Sequence, residues 1–257
     1  MGKDSIEFEN LSIGEGLSQS TVSCILQDRN GFIWFGTHFG LDKYDGYKFT
    51  VYDYELGNSG GISHPFVQAL AEDPSGTLWV GTESGLNKLN PQTGTFTIYY
   101  HSASNPNSLQ HNNVRALYAD AAGLLWIGTN SGLDKFDPNA QKFTHYRLTP
   151  GLENANSLDN VQVNSICCDP LGTLWLGISH GGVIHFDPKT ETFTRYLHDP
   201  QNPNSLSYND VTTVYCDRSG ILWFGTHCGG LNRFDAKTET FVLYRVIPDD
   251  SSCVSYN

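Results

Sequence analysis

Five tryptophans punctuate the 257-residue chain at nearly even intervals. They are Trp34, Trp79, Trp126, Trp175 and Trp223, separated by 45, 47, 49 and 48 residues. Each has an Asp six residues before it (Asp28, Asp73, Asp120, Asp169, Asp217) and a Gly three before it. A second Gly follows two residues after each (Gly36, Gly81, Gly128, Gly177, Gly225), and a third six after (Gly40, Gly85, Gly132, Gly181, Gly229). A period in this range marks a repeat architecture, in which one supersecondary unit stacks on the next.

Within a repeat the residues read as four short strands. The first ends at the Asp, as in 114–120, and the second carries the Trp. The third follows the turn glycines, and the fourth carries a Phe-x-x-Tyr pattern (Phe49 to Tyr52, Phe96 to Tyr99, Phe143 to Tyr146, Phe193 to Tyr196, Phe241 to Tyr244). Runs of four to eight aromatic and branched residues bounded by Gly, Pro and Asn are strand signals. No apolar 3.6-residue period persists over three turns, so helices are not expected. Asp-x-x-Gly suits a tight turn, because the carboxylate accepts backbone N–H bonds and Gly supplies a positive φ.

The Trp strand is apolar on consecutive residues, as in 123–128. A sheet buried on one face would alternate, whereas a blade packed between two neighbours is buried on both. The expected fold is therefore an all-β propeller of five complete four-stranded blades, at about 20–53, 65–101, 112–148, 161–198 and 209–247. A β-solenoid is the other repeat architecture to weigh, but its repeats are shorter. A single domain over 1–257 is expected, with the Trp side chains as its repeating core. The Gly two after each Trp would let the adjacent sheet approach its backbone. Residues 6–13 resemble a fourth strand lacking its blade, and 254–257 copy 206–209, which precede the fifth repeat. The set is either part of a larger propeller, such as one of seven blades, or a closed ring of five. An open arc would expose apolar faces at its two ends, which favour association with another copy.

Charge and composition narrow the function. With 15 Lys and Arg against 27 Asp and Glu, the formal net charge is −12, which disfavours nucleic acid and anionic membrane surfaces as partners. No apolar run is long enough to span a membrane. Six cysteines without a Cys-x-x-Cys pair (Cys24, Cys167, Cys168, Cys216, Cys228, Cys253) read as small buried thiols rather than a disulfide framework.

The pattern Asp-x-x-Gly-x-(Ile/Leu)-Trp-x-Gly-Thr-x-x-Gly-Leu-x-(Lys/Arg)-Phe-Asp, preceded by Asn-Ser-Leu-x-x-Asn-x-Val, resembles the two-component regulator propeller repeat. Residues 202–211 and 220–235 carry the match best. The resemblance implies a sensory input propeller outside the inner membrane, periplasmic or extracytoplasmic. It also implies a signalling output domain in the parent protein and, for several relatives, a glycan ligand. Propellers of that family usually have seven blades.

Comparing repeats within the chain locates a candidate surface. The Asp-x-x-Gly turn and the turn into the fourth strand are nearly uniform and lie on one side. The inter-blade loops and the turn after the Trp strand differ more and lie on the other, where recognition residues usually reside. The expected ligand residues are His38, Phe39, His64, Phe66, Glu83, His111, Asn112, Asn130, Asp159, His180, Tyr208, Asn209 and His227. Phe39, Phe66 and Tyr208 beside amides and carboxylates suit a sugar, whose C–H faces stack on rings while its hydroxyls need polar partners. Asn112, Asn113, Asn160 and Asn209 also suit turn capping. His38, His180 and His227 could approach one mouth, but their spacing is not a metal motif and surface hydrogen bonding is the plainer reading. The five repeat Asp residues are too far apart for one calcium site. No cofactor is expected. A non-catalytic sensory module competes with a lectin-like or protein-interaction scaffold, and with a lyase or hydrolase drawing on Glu83, His111, Asp159, His180 or His227.

Overall fold

A computed structural model describes residues 10–54, 60–146 and 161–245. They form five antiparallel sheets of four strands, each with its strands in chain order. Blade one comprises β1 (Val22–Gln27), β2 (Ile33–Thr37), β3 (Gly40–Tyr44) and β4 (Phe49–Tyr52). Blade two comprises β5 (Val67–Glu72), β6 (Leu78–Thr82), β7 (Gly85–Leu89) and β8 (Phe96–Tyr99). Blade three comprises β9 (Val114–Ala119), β10 (Leu125–Thr129), β11 (Gly132–Asp137) and β12 (Lys142–Tyr146). Blade four comprises β13 (Val163–Cys168), β14 (Leu174–Ile178), β15 (Gly182–Asp187) and β16 (Thr192–Tyr196). Blade five comprises β17 (Val211–Cys216), β18 (Leu222–Thr226), β19 (Gly230–Asp235) and β20 (Thr240–Tyr244). The expected N-terminal strand falls partly outside the described residues. Its described part, 10–13, is not a strand, because Ser12 caps a single 3-10 turn over Ile13–Glu15.

The repeated Asp does more than close a turn. In every blade its Oδ1 accepts backbone N–H groups two and four residues on, as Asp120 does from Ala122 and Leu124. Its Oδ2 accepts the indole N–H of the Trp six residues on, at 2.8, 2.9, 3.2, 3.2 and 3.2 Å in chain order. One carboxylate thus joins the β-turn to the core, satisfying an indole donor that would be costly to bury unpaired. Burial pushes the Asp73 and Asp169 carboxyls up, but bonds from Ser75, Trp79 and Thr77, and from Thr173 and Trp175, outweigh it and hold both below the usual range.

Four apolar clusters fill the junctions between successive blades. The Trp of each of the first four blades packs towards the next blade: Trp34 meets Leu78 and Val80, and Trp126 meets Leu174 and Phe186. The glycine after the Trp strand is required by this approach. A Cβ on Gly36, Gly81, Gly128 or Gly177 would lie 2.6, 2.5, 2.8 or 2.9 Å from the first valine of the next blade.

The ends of the arc differ from its interior. β1 lies beside β5, β5 beside β9, β9 beside β13 and β13 beside β17, but β17 and β1 share no packing of that extent among the described residues. Trp34, Trp79, Trp126 and Trp175 are at most 3% exposed, whereas Trp223 is only half-buried. Tyr118 packs into the junction between blades three and four, while Tyr215, its counterpart in blade five, is exposed. On the opposite end face, Ile25 is 63% exposed, and its counterpart Ile166 is buried. The blades form an arc whose first and last members do not bury each other.

Candidate functional site

A channel runs where the five innermost strands converge. In every blade the pairing of the first two strands skips one residue, at Ser23, Gln68, Arg115, Asn164 and Thr212. Such a bulge re-aims the unpaired side chain. All five residues line one cavity of about 210 Å³, together with Phe66. The same structural position thus carries five different side chains facing a common space.

Hydrogen bonds link these residues from blade to blade. Ser23 Oγ donates to the Val67 carbonyl at 2.5 Å. Gln68 Nε2 donates to Asn113 Oδ1 at 3.2 Å. Arg115 Nε donates to Asn164 Oδ1 at 2.9 Å, and Asn164 Nδ2 donates to the Val211 carbonyl at 2.9 Å. Burial pushes the Arg115 guanidinium pKa down, while the fields of Glu83 and Asp210 oppose this.

The mouth lies two residues earlier along these strands, at Thr21, Phe66, Asn113, Gln162 and Asp210. There, in blades two to five, the turn after the Trp strand leans on the loop before the first strand. The backbone N–H groups of Glu83, Asn130, Ser179 and His227 donate to the carbonyls of Phe66, Asn113, Gln162 and Asp210. The rings of His38 and Phe66 meet across blades one and two, tilted by 46° with centroids 3.9 Å apart, and the neighbouring residue Phe39 is exposed. Gln162 Nε2 donates to Asn130 Oδ1 at 2.7 Å across blades three and four. His180 Nδ1 lies 3.4 Å from Asp210 Oδ1, and His64 Nε2 lies 4.0 Å from Glu83 Oε2. Tyr208 is exposed beside the turn containing Gly229.

Several residues expected at the surface are spent on the scaffold. Asn112 Oδ1 accepts the His101 N–H at 2.6 Å and Asn209 Oδ1 accepts the His198 N–H at 2.7 Å. His64 and His111 each accept, through Nδ1, the backbone N–H two residues on, which places the proton of the neutral ring on Nε2. Burial and the neighbouring His101 push the His111 pKa down. Asp159 lies outside the described residues.

Two inter-blade loops, those after blades two and four, share one internal bonding pattern. In the loops after blades two and four, His101 Nδ1 donates to the Leu109 carbonyl at 2.7 Å and His198 Nδ1 to the Leu206 carbonyl at 2.8 Å. Ser108 and Ser205 accept the N–H groups of Ser102 and Asp199. The buried residues Leu17, Ile62, Leu109 and Leu206 plug the loops into the blades. The next residue donates its N–H to a third-strand Asp or Asn: Ser18 to Asp42, Ser63 to Asn87, Gln110 to Asp134 and Ser207 to Asn232. Among the described residues, the mouth and channel rings differ from blade to blade more than these two loops do. The channel ring was missed in the sequence, although period-two alternation from the first-strand valine would have aimed residues 23, 68, 115, 164 and 212 inward.

Among the described residues, no cluster of three His, Cys, Asp or Glu side chains could hold a metal ion. The described thiols, Cys24, Cys167, Cys168, Cys216 and Cys228, are unpaired. Burial pushes those of Cys24 and Cys167 up to about 12. No helix among the described residues is long and apolar enough to cross a membrane.

Five blades, each tied by an Asp–Trp bond and contributing one unlike residue to a shared channel, define a repeat propeller with one composite opening. The two component regulator propeller model matches residues 16–39, 61–84, 108–131, 157–180 and 205–227. The chain belongs to that family. It is similar to the extracellular domain assigned to the hybrid two component system BT3049 of B. thetaiotaomicron, with 31% identity and a TM-score of 0.78 over 91% of this chain. It spans 31% of the length of that structure. A segment of 45 residues, 18% of this chain and 3% of the relative, is 47% identical to Histidine kinase P4 of Formosa agariphila. Virginiamycin B lyase of Staphylococcus aureus shares the fold, with a TM-score of 0.65 at 13% identity over 90% of this chain and 73% of its own.

Proposed function

We propose that this propeller is the ligand-binding input module of a bacterial signal-transduction protein, acting outside the cytoplasm without catalysis. On this reading the mouth recognises a carbohydrate or another small polar ligand, and the parent protein carries a signalling output domain. The observation that carries it is the ring of unlike residues at one bulge position per blade, facing one cavity. Rings at Phe39, Phe66 and Tyr208 offer plates for sugar C–H faces, and Asn113, Gln162, Glu83 and Asp210 offer hydroxyl partners. The extracellular origin of the similar hybrid-system domain supports the location.

A catalytic reading has less to stand on. The His180 side chain, 82% exposed beside Asp210, has the solvation of a surface pair rather than of a desolvated acid–base couple. A lectin-like scaffold would favour equivalent side chains in each blade, and the channel ring is unlike in all five. A glycan library screened by thermal shift tests the proposal. A binder should raise the midpoint with dose as RT ln(1 + [L]/Kd) and remain chemically unchanged after incubation. Turnover of the binder would contradict the non-catalytic reading, and no binder among neutral and charged glycans would contradict a carbohydrate ligand.

A further inference from the structure

The channel holds one cation in an otherwise neutral ring. Ser23, Gln68, Asn164 and Thr212 are uncharged, and Arg115 stands among them at the same bulge position. Its orientation is fixed from behind. Asn164 turns its oxygen to Nε because its own amide is committed to the Val211 carbonyl. That leaves the Nη edge of the guanidinium, the fork that matches a carboxylate, with no protein acceptor among the described residues.

Glu83 and Asp210 are close enough to influence this charge, yet neither pairs with it. Asp210 Oδ1 lies nearer an imidazole, 3.4 Å from His180 Nδ1, and Glu83 Oε2 lies 4.0 Å from His64 Nε2. A half-buried guanidinium whose strongest donors are unmatched, in a chain of net charge −12, costs desolvation that a bound anion would offset.

We propose that Arg115 is the carboxylate-binding residue of this channel, and that its ligand is an acidic sugar, a hexuronate or a chain ending in one. This rests on the input-module reading and adds the ligand's charge. The carboxylate takes the Nη fork, and the sugar hydroxyls reach Asn113, Gln68 and the rim carboxylates, which only accept. The cavity of about 210 Å³ corresponds to roughly seven waters at ~30 Å³ each, a volume suited to one sugar unit rather than an extended chain.

The test compares glucuronate and galacturonate with glucose and galactose, matched pairs differing at one carbon, with inorganic sulfate as the simple anion. Thermal shift and titration calorimetry are run on the unmodified chain and on Arg115→Gln. Glutamine is the residue blade two uses at this position and can still donate to Asn164. The expected result is a dose-dependent rise in midpoint for the uronates alone, with affinity weakened at least tenfold in Arg115→Gln. Equal shifts from uronate and neutral hexose, equal shifts from sulfate, no shift from either uronate, or unchanged uronate affinity in the variant would each overturn the assignment. If neutral sugars bind and the variant leaves them unaffected, only this inference falls. If no sugar of either kind binds here or in the wider glycan screen, the carbohydrate part of the input-module reading falls with it. The paired comparison on the unmodified chain remains decisive even if the variant folds poorly.

Discussion

Asp42 shows how unequal the repeats are beneath a common backbone. It is fully buried in β3, and its Oδ2 accepts Ser18 N–H and Oγ–H while its Oδ1 has no partner. Asn87 and Asn232 occupy the same place in blades two and five. There the amide donates as well, Asn87 Nδ2 to Ser63 Oγ at 2.9 Å and to the Val80 carbonyl at 3.1 Å. Burial raises the Asp42 pKa above the usual carboxylate range against the opposing Ser18 bonds. A carboxyl with a raised folded-state pKa contributes stability that is present below its unfolded pKa and lost as pH rises through the folded one. Asp42→Asn should therefore stabilise the chain at pH 7 by about 1 kcal/mol, raising the midpoint by roughly 2–4 °C. It should also flatten the decline in stability as pH rises above the ordinary Asp range. Thermal melts from pH 4 to 8 check both, and a lower midpoint at pH 7 would count against the assignment.

At the scale of the element, the Asp–Trp bond and the close glycine decide whether blades stack. Asp120→Ala removes the acceptor for two backbone N–H groups and the Trp126 indole at once. A loss of roughly 2–3 kcal/mol is expected, measured by denaturant melts. A loss below 1 kcal/mol would mean that water satisfies these groups equally well. The strands and their partners were legible in the sequence because the repeat supplies five independent readings of one local pattern. The indole acceptor was not, although the six-residue spacing from Asp28 to Trp34 was in view, because spacing does not reveal that the chain folds back to bring the two together. The site was legible only as a face. Phe66, Glu83 and His180 were placed at the mouth by loop position, while Arg115 and Asn164 were passed over. A single unpaired residue in a short strand has no signal beyond alternation. Asn112 and Asn209 could be read two ways, and which partner their amides find depends on loop geometry that composition does not encode.

For the whole molecule, the uncovered ends carry a consequence. Inside the arc, the Trp side of one blade meets the aliphatic side of the next four times. At the ends the same two surfaces have no such partner among the described residues: Trp223, Tyr215 and Tyr244 on one, Ile25, Ile33 and Phe35 on the other. They are complementary by repetition, so this chain studied by itself is expected to associate head to tail. Such a contact is heterologous and grows with concentration unless it closes into a ring. Sedimentation velocity should show larger species as concentration rises, and Ile25→Glu should return the chain to monomer. A monodisperse monomer across the range would exclude it.

Five unlike residues at equivalent positions should make a single site. Titration calorimetry with the glycan giving the largest thermal shift, corrected for active protein, measures this through its stoichiometry. One ligand per chain is predicted. Five equivalent ligands per chain would contradict the account, since each blade would then be binding on its own.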